Sequence, residues 1–125
     1  ARSPFIHRMD PVPPDEVVSV VAGADMSLAL IEILSQSYAW GSPNKLFEAL
    51  AAGVPVLASD VPEVRRRLGS LAGDLVLTSP KDQLGAFLAR LDRSAALSYR
   101  KQLAPLPTWE EGIGPMVEAY QRLLA

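Results

Sequence analysis

The chain of 125 residues contains no cysteine, a single histidine and only 6% aromatic residues. Without cysteine there can be no disulfide, no thiolate metal ligand and no thiol nucleophile, a composition that fits a reducing cytoplasm. His7 falls in an expected strand, where a structural or surface role outweighs catalysis, and a Ser-His-Asp triad has no second histidine to draw on. Long apolar runs are missing as well. Val17–Ala24 is short and broken by Ser19 and Gly23, so no segment can span a bilayer. ARSPFIHRMD at the N-terminus has no apolar core of signal-peptide length. A strand is expected in it almost at once, as in a fragment of a longer protein. Charge of one sign is also lacking: 12 basic and 14 acidic side chains leave −2, and no global field favours nucleic acid or an anionic membrane. The local run Arg65-Arg66-Arg67 has no interleaved aromatics and reads as a solvated helix face. Asp74 and Asp82 have no metal-ligand partners at suitable spacing, so no metal is expected.

What is present describes one folded domain. Hydrophobic residues make up 49% and charged residues 21%, enough for a core in a chain too short for two domains. Pro4–Arg8 reads as a short strand, followed by a loop with Pro11, Pro13 and Pro14. Asp15 and Glu16 open a helix with Val17, Val18, Val21 and Ala22 on one face. After Gly23, Met26–Ile31 is a buried strand and Leu34–Trp40 a loop. Ser42 can cap a helix with Pro43 in its first turn, Leu46, Phe47, Leu50 and Ala51 on its inner face, and Gly53 as its left-handed end. Val54–Ala58 is the next strand, with Pro55 at its start. Asp60 and Glu63 have capping spacing for the helix Pro62–Leu68, which stops at Gly69. Asp74–Leu77 is a fourth strand, and Thr78 or Ser79 caps a helix with Leu84, Phe87, Leu88 and Leu91 inward. Helices over Ser94–Leu103 and from Thr108 onward complete the chain, the last one kinked at Gly114 and Pro115.

Strand and helix thus alternate four times, which predicts an α/β fold: a Rossmann-like, doubly wound parallel sheet with extra C-terminal helices. Ligands of such sheets bind outside the carboxyl ends of the strands, and the loop before Pro43 is one of those places. The first-turn N–H groups at Ser42–Lys45 suit a phosphate, and Lys45 adds a positive charge. Glu48 lies opposite the apolar face, free to accept hydrogen bonds from the two hydroxyls of a ribose. This pattern reads as a nucleoside-diphosphate site. From spacing alone it reads more readily as the polar face of an amphipathic helix carrying a Lys45–Glu48 ion pair. Tyr38 and Trp40 can line a base or sugar pocket, or simply pack in the loop.

The segment GSPNKLFEALAAGVPVLASD (residues 41–60) resembles the signature of the retaining GT-B glycosyltransferases of family 4 (glycosyl transferase group 1). VPPDEVVSVVAGADMSLAL resembles the helix and strand that precede that signature, and TWEEGIGPMVEAYQRLLA the family's terminal helix. The resemblance implies a partial GT-B C-terminal domain, with residues 1–107 as the core and 108–125 as the terminal helix. It implies a hexosyltransferase-like, bacterial-type cytoplasmic enzyme, peripheral at the inner membrane face in its full-length form. That enzyme would transfer a sugar from a nucleotide-sugar donor without a metal or other cofactor. Glu48 corresponds to the second glutamate of the family's Glu-x7-Glu motif, which binds the nucleotide ribose. Backbone groups of Gly41, Ser42, Asn44, Lys45 and Leu46 would face the diphosphate. The first glutamate of the motif is replaced by Trp40, which could stack on a sugar face but cannot accept hydrogen bonds as a carboxylate does.

The resemblance covers only the later part of the second GT-B domain. The acceptor-binding domain, and the Arg and Lys that neutralise the leaving diphosphate, fall outside it. Leaving-group stabilisation is chiefly electrostatic, so this chain alone is expected not to transfer sugar. In a 3-2-1-4-5-6 strand order, Pro4–Arg8 and Met26–Ile31 would be strands 3 and 4. The first is then expected to pair directly with the second or to complete a sheet in another copy. Apolar residues of the last helix, Ile113, Val117, Tyr120 and Leu124, are expected to be exposed or buried in a dimer. Two alternatives compete. A non-catalytic interaction or regulatory module is favoured by Trp40 and by the missing cations. A GT-B-fold sugar-nucleotide epimerase is disfavoured because no acid/base pair is evident.

Overall fold

The computed structural model describes residues 3–125 and shows an α/β domain built on a three-stranded parallel sheet. In chain order the elements are α1 (Val17–Val21), β1 (Ser27–Ala29), α2 (Gln36–Ala39), α3 (Asn44–Ala51), β2 (Val56–Ser59), α4 (Pro62–Leu68), α5 (Ala72–Leu75), β3 (Val76–Leu77), α6 (Pro80–Arg90), α7 (Arg93–Gln102) and α8 (Trp109–Leu124). A 3₁₀ turn at Gly69–Leu71 joins α4 to α5. The strands lie in the order β1-β2-β3, with Ser27 beside Val56, Ala29 beside Ala58 and Ser59 beside Leu77. All four residues of β2 are buried, so this middle strand is covered on both faces, as the unbroken apolar run VLA requires.

α3 carries the loop segment of interest, and its packing decides what the loop can do. Leu46, Ala49 and Leu50 are buried against β1 and β2. Ala51, placed on the inner face by the sequence pattern, is exposed, and Ala49 takes its place. Phe47 turns toward α4, where the Arg67 guanidinium lies 5.2 Å from its ring centre. The helix ends as its glycine predicts. Gly53 has φ +66°, and the N–H groups of Gly53 and Val54 return to the carbonyls of Leu50 and Ala49 at 3.0 and 2.8 Å. This paired closure needs a left-handed residue that only glycine adopts without strain.

Several expectations are corrected. Pro4–Arg8 is not a strand and joins no sheet among the described residues: Pro4 and Phe5 form a turn in which Ser3 Oγ accepts the Phe5 N–H at 3.3 Å. A strand is stable only in a ladder, and this one has neither a neighbour nor a donor at Pro4. The segment Leu34–Trp40 contains the short helix α2, capped by Ser35 Oγ. Asp74 and Leu75 belong to α5, leaving two residues for β3. Ser42 does not cap α3; Pro43 takes the N-cap position and no side chain caps the helix. Asp60 does not cap α4 either, because Val61 occupies that position. Thr108 does cap α8, in a reciprocal capping box with Glu111, and that helix continues through Pro115. No residue of α8 is buried, and Met116, Val117, Tyr120 and Leu124 are exposed.

Candidate functional site

The chain leaving β1 crosses the carboxyl edge of the sheet before it reaches α3. One buried side chain anchors that crossing. Ser59, at the end of β2, is 2% exposed. Its Oγ donates to the Ile31 carbonyl and accepts from the Ile31 N–H, both at 2.9 Å. The two bonds bridge 28 residues and satisfy both backbone groups of Ile31 just where β1 has ended. The sequence pattern marked only Asp60, the neighbour of Ser59, as a cap. A lone hydroxyl closing a fully apolar strand was the available signal, since buried hydroxyls need partners.

Beyond Ile31 the loop turns through α2 and reaches Gly41. A Cβ at Gly41 would stand 3.2 Å from the Ser37 carbonyl oxygen and 3.4 Å from that of Tyr38, so the turn onto α3 passes closer to α2 than a side chain readily allows. Tyr38 lies in α2, and Trp40, 76% exposed, is its C-terminal cap. Ser42, Asn44 and Lys45 follow, all exposed. Among the described residues no side chain caps α3. The Leu46 N–H turns back to the Pro43 carbonyl at 3.0 Å, so of the expected diphosphate donors this one is already engaged within the chain. The Asn44 and Lys45 N–H groups stand at the open end of the helix, where an anion is favoured.

Glu48 lies one turn along, half-buried and on the side away from Leu46, Ala49 and Leu50. The Lys45–Glu48 ion pair weighed from the sequence does not form. Among the described residues neither this carboxylate nor this ammonium has an ion-pair partner. The arginine run behaves differently. Arg65 forms a bidentate pair with Asp60 at 2.6 and 2.8 Å, while Arg66 and Arg67 converge on Glu63 at 2.7 and 2.8 Å. Hydrogen bonds from Arg66 and Arg67 hold the Glu63 carboxyl down to about 2, and Arg65 lowers that of Asp60.

A cleft of about 460 Å³ opens at the carboxyl ends of all three strands. Leu30, Ile31, Leu77 and Pro80 form its apolar floor, and Glu32, Asp60, Thr78, Lys81 and Asp82 its rim. None of the residues 38–48 lines it. The sequence-predicted residues thus share one loop and helix start at the outer strand, and the cleft lies beside them toward β3. Elsewhere, Tyr99 borders a cleft with Asp74 and Arg90, and burial raises its hydroxyl pKa, with Asp74 adding to the effect. His7 lies in the exposed N-terminal segment. Among the described residues no three His, Cys, Asp or Glu side chains converge as a metal site requires, and no helix is long and apolar enough to cross a membrane.

A protein-family model described as glycosyl transferase-like matches residues 4–100. No curated protein and no solved structure matches the chain.

Proposed function

The chain belongs to the glycosyl transferase-like family, and from that premise we propose that it is the donor-binding part of a retaining glycosyltransferase of GT-B architecture. Its ligand is a nucleotide-sugar, gripped at the start of α3. The Asn44 and Lys45 N–H groups and the Lys45 ammonium face the diphosphate, with Gly41 and Ser42 providing the approach. Glu48 accepts hydrogen bonds from the ribose hydroxyls. The observation that carries this reading is the uncapped N-terminus of α3 beside a carboxylate and an ammonium that do not pair with each other. An i, i+3 pair of this kind is worth only about 0.2–0.5 kcal/mol, so a charged ligand can take both groups at little cost. No metal is required, because the helix terminus and Lys45 supply the positive field that a diphosphate needs.

Binding and transfer separate in this proposal. Departure of a nucleoside diphosphate concentrates negative charge that must be met by several preorganised donors. The start of α3 offers Lys45 alone, while Arg65, Arg66 and Arg67 are engaged by Asp60 and Glu63. The chain by itself therefore binds donor without transferring sugar.

A second reading, a binding or regulatory module that does no chemistry, is favoured by Trp40. This residue stands eight positions before Glu48, and its exposed indole supplies no carboxylate to the donor sugar. Calorimetry with UDP, GDP and ADP distinguishes the two. Donor binding predicts saturable binding of one nucleotide that Glu48→Ala weakens roughly tenfold or more, since charge-assisted bonds contribute about 1.5–3 kcal/mol. Absence of binding at millimolar nucleotide sinks the donor reading and leaves the module.

A further inference from the structure

The cleft of about 460 Å³ at the carboxyl ends of the strands is lined by none of the residues assigned to the donor. Crevices of this size, at this edge of a parallel sheet, are where α/β domains hold ligands. Its floor is an extension of the core. Leu77 is buried, and Leu30 and Ile31 pack half-buried against the same cluster. Ile33 and Pro80 widen that apolar surface. Ser59 clasps the Ile31 backbone from β2, so the floor is held in place by the fold itself.

The rim decides which chemistry fits. Lys81 is the one cation among the lining residues, and Glu32 stands 3.6 Å from its ammonium. Three carboxylates, Glu32, Asp60 and Asp82, line the same rim. Arg65, which does not line the cleft, keeps Asp60 ionised through two hydrogen bonds. Asp82 accepts from the Ser79 hydroxyl. A carboxylate has about four acceptor sites, so all three can still accept from hydroxyls of a ligand. A phosphate would instead meet three negative charges and a single positive charge that Glu32 already matches. The cleft thus disfavours the anionic donor that suits the start of α3.

We propose that this cleft binds an uncharged, hydroxyl-bearing molecule with an apolar ring or chain. On the donor-binding reading above, on which this assignment rests, that molecule is the acceptor of the sugar. Its apolar part lies on Leu30, Ile31, Leu77 and Pro80, and its hydroxyls donate to the rim carboxylates. Donor and acceptor are then held at one edge of the sheet by different forces. A helix terminus takes the diphosphate, and an apolar floor takes the alcohol.

Amide NMR titration of the whole chain with phenyl β-glucoside, a neutral probe carrying both features, tests this. Glucose lacks the ring and phenyl phosphate is anionic, so these two serve as comparison probes. Phenyl glucoside should shift the amides of Ile31, Glu32, Thr78 and Lys81 saturably. It should bind at least ~10-fold more tightly than either comparison probe, because burying a ring contributes about that factor or more. Ile33→Asp charges the floor and Thr78→Trp narrows it, both at exposed positions, and each should weaken binding about tenfold or more. Equal or tighter binding of phenyl phosphate overturns the proposal. So do glucoside shifts confined to residues 41–48, no saturable shift at tens of millimolar, or binding that both variants leave unchanged. UDP reports on the donor site separately, through the Asn44 and Lys45 amides. If UDP fails there while the glucoside binds the cleft, the donor reading falls and the cleft site stands.

Discussion

Replacing Ser59 with alanine removes one hydroxyl and strands two backbone groups. In the native chain that hydroxyl both donates to and accepts from Ile31 at 2.9 Å, at a residue only 2% exposed. Leaving a buried donor or acceptor without its partner costs about 1–3 kcal/mol. Ile31 itself is only half-buried, so the lower end applies to each group, giving about 2 kcal/mol in all. Unfolding entropy near ~2.1 cal/mol/K per residue converts this to a melting temperature lowered by about 8 °C for a chain of 125 residues. Urea unfolding should show a lower midpoint with an unchanged slope, because the surface exposed on unfolding is the same. Amide exchange at Ile31 should accelerate with it. Because Ile31 begins the crossing that leads to α3, the variant should also bind nucleotide more weakly, although Ser59 is remote from the residues assigned to the ligand. A stability loss under about 0.5 kcal/mol, with Ile31 exchange unaltered, would refute the idea that this serine holds the crossing in place.

Three further outcomes follow from the packing, the backbone and the charges. Leu46→Ala empties a position that is fully buried and should cost about 3.5 kcal/mol in urea unfolding, near the middle of the range for buried leucines. Gly53→Ala meets no atom within 4 Å of the added Cβ, so its cost is the positive φ alone, about 1 kcal/mol by thermal melting. Glu63 has a folded carboxyl lowered from 4.5 to about 2. Its stabilisation is therefore complete above about pH 4.5 and lost as pH falls toward 2. Glu63→Gln should be about 1 kcal/mol less stable at pH 7, a figure reduced for the exposure of its partners. The gap between the two melting curves should close as pH approaches 2.

Local chemistry was legible wherever the deciding partner was close in sequence. The glycine after α3 imposed its left-handed end, Thr108 stood at the start of the last helix, and the apolar run around Leu57 became the buried middle strand. The position of Glu48 opposite the buried face followed from helical periodicity alone. Even locally the reading failed where two short-range partners competed. Asp60 had the spacing of a cap but met Arg65 five residues on, and a bidentate guanidinium outbids a backbone N–H for a carboxylate. Ser35 opened α2 in what looked like plain loop, because a four-residue helix leaves no periodicity to detect.

By itself the sequence determined the α/β alternation, the helix and strand that frame residues 41–60, and the family to which the chain belongs, because each depends on residues a turn or a strand apart. Only the tertiary structure decided that Ser59 clasps Ile31, that Lys45 and Glu48 do not pair with each other, and that Phe5 and Ile6 lie outside any sheet. Those outcomes depend on which groups the sheet order brings within bonding distance across tens of residues. A strand-like segment becomes a strand only if some other edge is there to receive it.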